Sequence, residues 1–240
     1  MRLLLHNIME PAAFFTGFRY FIYLRHKEGD PIETTHRTSI FIGAVFGALL
    51  GSRLIGGLEN PPALFHSRHI LLYFYENKTV LGGFLGGLWG VELIKKRIGE
   101  RQASGDLFVY PILLALIIGR IGCFSMGVYE ETYGLPTSLP WGMDLGDGLR
   151  RHPVALYEMV FLGLLWMGLK KADGLLSAEQ GARFKVFMIA YLLFRFFLDF
   201  IKPHYTFSIG LSTIQLTSVA GLIYYYPHII RYARKTLHLL

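Results

Sequence analysis

Apolar runs of about twenty residues recur along nearly the whole of this chain, and that spacing leaves few folds open. A run of that length, coiled as an α-helix, crosses the roughly 30 Å hydrocarbon core of a bilayer with its backbone groups bonded internally. The runs fall at 8–24, 38–56, 79–95, 107–123, 153–170, 184–202 and 209–230. With 52% hydrophobic and only 17% charged residues, the chain does not have the composition of an ordinary soluble domain. The sequence predicts an all-α polytopic membrane protein of seven transmembrane helices, one integral membrane domain over 1–240. The single cysteine excludes a disulfide scaffold and any multi-cysteine metal site. The first run is interrupted by Glu10 and Pro11 and carries Arg19, so a removable signal peptide is not expected.

Charge in the loops orients the spans. One side receives Arg25, Lys27, Arg37, Lys95, Lys96, Arg97, Arg101, Lys170, Lys171, Arg183, Lys185, Arg231, Arg234 and Lys235; the other receives only Arg2, Arg68, Lys78, Arg150, Arg151 and Lys202. The positive-inside rule then places the N-terminus outside and the C-terminus in the cytoplasm. The same rule accounts for the basic excess without nucleic acid. Two external segments exceed a tight turn. Residues 57–78 carry Phe65 and an apolar stretch from Ile70 to Tyr75, suited to the membrane interface, and 124–152, rich in Gly, Pro and Thr, predicts a small external cap. Gly43, Gly47 and Gly51 recur every fourth residue, and glycines crowd 82–90, a pattern of close helix packing or of a bare groove for a lipid head group.

Sorted by depth, the ionisable residues gather toward the outer leaflet. Arg53, Arg120 and Glu158 lie near outer helix ends, while Arg195, Asp199 and Lys202 share one face of the sixth run. A charge near mid-bilayer costs roughly 2.5–3.5 kcal/mol, so such a group implies a use: structural ion pairs such as Arg195 with Glu158, or a polar cavity whose arginines grip a phosphate. The surplus of positive charge favours the cavity. Arg19 and Glu92 fall at inner ends, where they can pair or reach the interface. His152 precedes Pro153, which is placed to open the fifth helix and to leave amides facing an anion. His66 and His69 read as interfacial. Cys123 reads as a small buried residue, with no base for its thiol evident in the sequence.

The motifs around these residues resemble the bacterial phosphatidylglycerol–prolipoprotein diacylglyceryl transferase family. They are Gly119-Arg-Ile-Gly-Cys-Phe124, Tyr133-Gly-Leu-Pro-Thr137, Leu139-Pro-Trp-Gly142, Arg151-His-Pro-Val-Ala-Leu-Tyr-Glu158, Phe194-Arg-Phe-Phe-Leu-Asp199 with Lys202-Pro203, and Ile214-Gln-Leu-Thr-Ser218. The resemblance implies transfer of a diacylglyceryl group from phosphatidylglycerol to the lipobox cysteine of a prolipoprotein, releasing glycerol 1-phosphate. It implies no metal, nucleotide or other cofactor, and a place in the bacterial inner membrane. By the same resemblance Arg120, Glu158, Arg195, Asp199 and His152 are the expected catalytic residues, and Arg120, Arg195, Arg53, Lys202 and Tyr157 the expected head-group contacts. The chain departs from the family pattern at Leu81, which stands where the family has a histidine, and at Cys123, Met126 and Val128, where it has asparagines and a glutamate; Glu130 and Glu131 are nearby. These departures leave open a transferase with another acceptor or a non-catalytic lipid-binding or lipid-moving relative.

Overall fold

Seven long helices overlap the seven apolar runs. In the computed structural model, which describes residues 2–130 and 132–237, they are α1 (Arg2–Glu28), α2 (Thr34–Gly57), α5 (Val80–Ile98), α6 (Val109–Met126), α7 (Val154–Lys171), α9 (Ala182–Leu198) and α10 (Thr213–Leu237). Shorter helices α3 (Pro61–His66), α4 (Ile70–Glu76) and α8 (Asp173–Leu176) lie between them. Glu131 and the side chains of Arg234 and Lys235 lie outside the described residues. Two described stretches, Thr34–Gly57 and Asp106–Tyr129, are long and apolar enough to cross a membrane. The mostly helical architecture is that of an all-α membrane protein. Among the described residues the strands are a two-stranded hairpin within the expected cap, β1 (Met143–Asp144) against β2 (Arg150–Arg151). The chain divides into two units: Met1–Asp30 with Ala103–Phe187 and Phe200–Pro203, and Pro31–Gln102 with Met188–Asp199 and His204–Leu240.

In the first unit α1 packs along α6, which in turn packs on α7. Gly17 makes the approach of α1 possible, since a Cβ there would lie 3.1 Å from both the Ala115 methyl and the Pro111 carbonyl. Phe21 stacks on Phe108 with ring centroids 4.3 Å apart. The start of α9 is capped from a distant loop. Asp106 accepts from the amides of Gly181 at 2.6 Å and Phe184 at 2.9 Å, satisfying donors the helix itself cannot.

The cap hairpin of this unit is built on carboxylates. Asp144 accepts the amides of Gly146 and Gly148 at 2.8 and 3.0 Å, and Asp147 accepts from Arg151 Nε at 2.8 Å. The Gly146 amide first, then that of Gly148, holds the Asp144 carboxyl below its ordinary range, and the Arg151 guanidinium does the same for Asp147. A folded value below the open-chain value makes the contribution complete above the ordinary carboxylate pKa of about 3.9 and lost as pH falls through the folded value. Exchange protection of the Gly146 and Gly148 amides, corrected for intrinsic rates, is therefore expected to hold at neutral pH and decline in strong acid. Unchanged protection on acidification, or in Asp144→Asn, would contradict this.

In the second unit α2 and α5 meet backbone to backbone. A Cβ on Gly47 would overlap the Gly86 carbonyl, one on Gly51 that of Gly82, and one on Gly90 that of Gly43. The every-fourth-residue glycines are thus a packing seam, as small residues usually are between membrane helices. Gly83 and Gly87, one residue off that row, also look toward α2 but with ordinary room, a Cβ there having its nearest atoms at 3.8 and 3.4 Å. Segment 57–78 forms α3 and α4, whose Phe65 and Leu71 are 83% and 88% exposed, suited to an apolar surrounding. At the start of α10, Ser212 and Gln215 form a capping box: the Gln215 amide donates to Ser212 Oγ at 3.0 Å and the Ser212 amide to Gln215 Oε1 at 2.9 Å.

Candidate active site

Arg120 and Glu158 are joined. Arg120 lies in the last two turns of α6, Glu158 in the second turn of α7, and Arg120 Nε stands 2.9 Å from Glu158 Oε2. Both are buried, Glu158 to 1% exposure. Breaking such a pair from one side strands a charge, whereas keeping it fixes the plane of the guanidinium and so the direction of its other donors.

From Arg120 the polar chain runs on through residues that sequence reasoning had not joined. Arg120 Nη1 donates to Cys123 Sγ at 3.5 Å, and the thiol donates to Glu130 Oε1 at 3.8 Å. Glu130 Oε2 lies 3.5 Å from His6 Nδ1 on α1, and His6 Nε2 lies 3.7 Å from Glu10 Oε1. No base for the Cys123 thiol is evident in the sequence, and the fold supplies a carboxylate beside it. The cause is local. Gly127 takes φ +61° at the end of α6, in space that the Leu145 carbonyl closes to any side chain, and the following turn Gly127–Tyr129 brings Glu130 back to the helix end. His6 reaches the same place because Gly122 lets α1 approach, its missing Cβ being 3.0 Å from Met9 and 3.4 Å from His6 Nδ1. Among the described residues three carboxylates, Glu158, Glu130 and Glu10, belong to this polar chain with Arg120. A recess lined by Cys123, Phe124, Thr132, Tyr133, Leu145 and Val154 adjoins the thiol.

His152 and Tyr157 also meet. Trp141 Nε1 donates to Tyr157 Oη at 2.9 Å, and that oxygen is 3.1 Å from His152 Nδ1, so cap and helix share one hydroxyl. The expected anion seat at the start of α7 is corrected. Pro153 precedes the helix as its cap rather than opening it, the Val154 amide donates to His152, and the Leu156 and Tyr157 amides donate to Pro153. Those donors are taken up by the chain itself. Lys202 is half-buried just beyond the turn Asp199–Ile201.

In the second unit Arg195 is 6% and Asp199 2% exposed. Asp199 accepts from the Ser212 hydroxyl and lies 3.6 Å from His204 Nδ1, so it is tied to the capping box of α10. The S-x-x-Q pattern at 212–215 was visible in the sequence; its link to Asp199 was not. Arg53 donates to the Tyr75 carbonyl and lies 4.9 Å from that ring's centroid, which fastens α2 to α4. Leu81, in the place of the expected histidine, is fully buried. Glu92 is 3.6 Å from Lys95.

Known proteins resemble this chain over most of its length. The family model described as prolipoprotein diacylglyceryl transferase matches residues 2–230. Proteins named phosphatidylglycerol–prolipoprotein diacylglyceryl transferase include one from Bordetella parapertussis, 36% identical over 73% of this chain and 70% of its own length. Another, from Nitrosomonas europaea, is 32% identical over 75% of this chain and 65% of its own. That from Cupriavidus necator is 33% identical over 88% of this chain and 80% of its own. A match over nearly the full chain, with the motif arginine and glutamate in contact, shows that this chain belongs to the prolipoprotein diacylglyceryl transferase family.

Proposed function

We propose that this chain transfers a diacylglyceryl group from phosphatidylglycerol to a prolipoprotein, at the thiol of its lipobox cysteine. The observation that carries the reading is the buried Arg120–Glu158 pair in a chain of this family. A guanidinium held in plane by a carboxylate is suited to meeting a phosphate, and it stabilises the charge that grows on the leaving phosphoglycerol. Glu158 is the positioning residue for Arg120. Arg195 and Asp199 are proposed as further catalytic residues, and His152 with Tyr157 as polar contacts for the substrate. Lys202 is proposed as a head-group contact. The setting proposed is the bacterial cytoplasmic membrane, crossed seven times by one domain with the N-terminus outside, 57–78 at the interface and 124–152 as external cap.

The test is thioether formation from phosphatidylglycerol and a lipobox peptide in proteoliposomes. Wild-type protein is expected to turn over, and Arg195→Ala to lose at least about 10²-fold in kcat, the scale of one electrostatic stabiliser. Equal product from both would show that Arg195 has no catalytic part. A second reading is favoured by Leu81, Met126 and Val128 at positions where the family has polar residues: a lipid-binding relative without turnover. Tight phosphatidylglycerol binding with no product would establish it.

A further inference from the structure

Attack by a thiol requires that its proton go somewhere, and Leu81 offers no base where the family has a histidine. Glu158 is held by Arg120 and is 1% exposed. Glu130 differs, because its side chain is 26% exposed while its Oε2 is buried against His6 Nδ1 at 3.5 Å. Neither of those two atoms has a hydrogen-bond partner among the described residues. Buried polar atoms left unmatched are costly, and a proton delivered between this carboxylate and this imidazole supplies the bond that both lack.

Resting on the transferase reading above, we propose that Glu130, backed by His6, is the base that takes the proton from the acceptor thiol. The acceptor S–H bond breaks as Glu130 receives the proton. The sulfur electron pair forms the new C–S bond to the glyceryl carbon, and the C–O bond to phosphate breaks with its pair retained on the departing phosphoglycerol. No electrons change hands otherwise. The proton passes from Glu130 to His6, or to the released phosphate. Cys123 positions Glu130 through its 3.8 Å contact and is itself held by Arg120, so phosphate binding and proton acceptance are coupled through one sulfur. Among the described residues, the charged or titratable groups facing the pair are Glu10 on α1, Arg120 and Cys123 on α6, and Glu158 on α7.

The experiment measures kcat and KM against pH in proteoliposomes of phosphatidylglycerol with a lipobox peptide. Glu130→Gln is expected to lower kcat by about 10²-fold or more, the scale of general base help, with KM for the lipid unchanged and the acidic limb of the profile abolished. Glu130→Asp is expected to restore part of the rate and the limb. His6→Gln is expected to shift that limb, and it decides the matter if Glu130→Gln does not fold. Wild-type rates and profiles in both variants would overturn the assignment alone. Absence of any thioether from wild-type protein would overturn the transferase reading and this assignment together.

Discussion

Arg120→Ala is expected to destabilise the protein by about 3–5 kcal/mol and to abolish transfer, because it leaves the Glu158 carboxylate buried without its guanidinium. Both effects are measurable in detergent, the first as a fall in the unfolding midpoint and the second as loss of thioether product. Loss of activity in a damaged protein proves little, so the informative variant is the double one. Replacing Arg120 and Glu158 together by leucine removes both charges, and well-packed apolar substitutes for a buried pair are often neutral or stabilising. The double variant is expected to regain most of the lost stability and none of the activity. A double variant that both folds and transfers would reduce the pair to a packing device.

Gly47→Leu is expected to separate α2 from α5 at a cost of about 3 kcal/mol or more, the upper end for overpacking. The obstacle is the Gly86 carbonyl, and main chain cannot rotate aside as a side chain can. Gly83→Ala supplies the contrast on α5: its new Cβ would stand 3.8 Å from the Ala48 carbonyl and from the Ser52 Cβ, an ordinary contact. It is expected to carry no overpacking cost, and alanine's helix preference over glycine makes a stabilisation of up to about 1 kcal/mol the expected result. Thermal unfolding of the two variants side by side decides the point, and equal midpoints would show that the seam tolerates volume.

Much of this was legible in the chain itself, for particular reasons. Apolar runs of helical length marked the long helices because nothing but an internally bonded segment suits them. The period of four in Gly43, Gly47 and Gly51 marked the seam because it places bare backbone on one face. Arg120 and Glu158 drew attention as charges where charge is costly. Glu130 and His6 escaped for an equally physical reason. A periodicity argument extends a helix but does not say how the chain turns once the helix stops, and Glu130 owes its place to the conformation of Gly127. Asp199 was assigned to the arginines by helical spacing, while its short contact to Ser212 depends on where α10 begins. Pro153 was misplaced by one position, which was enough to turn open amides into satisfied ones.

Two long-range pairings of the first unit mature at different moments of synthesis. Asp106 leaves the ribosome 75 residues ahead of Gly181, so α9 finds its N-terminal acceptor already made when its first turn emerges. Arg120 has the opposite fortune: it emerges before Glu158. If α6 entered the bilayer alone it would carry an uncompensated guanidinium, at a cost of roughly 2.5–3.5 kcal/mol were it near the bilayer centre. Delaying that step until α7 follows, so that the two helices enter as a hairpin, removes the penalty. The contact proposed to orient the guanidinium for chemistry would then also give the nascent chain a reason to admit α6 and α7 as one unit.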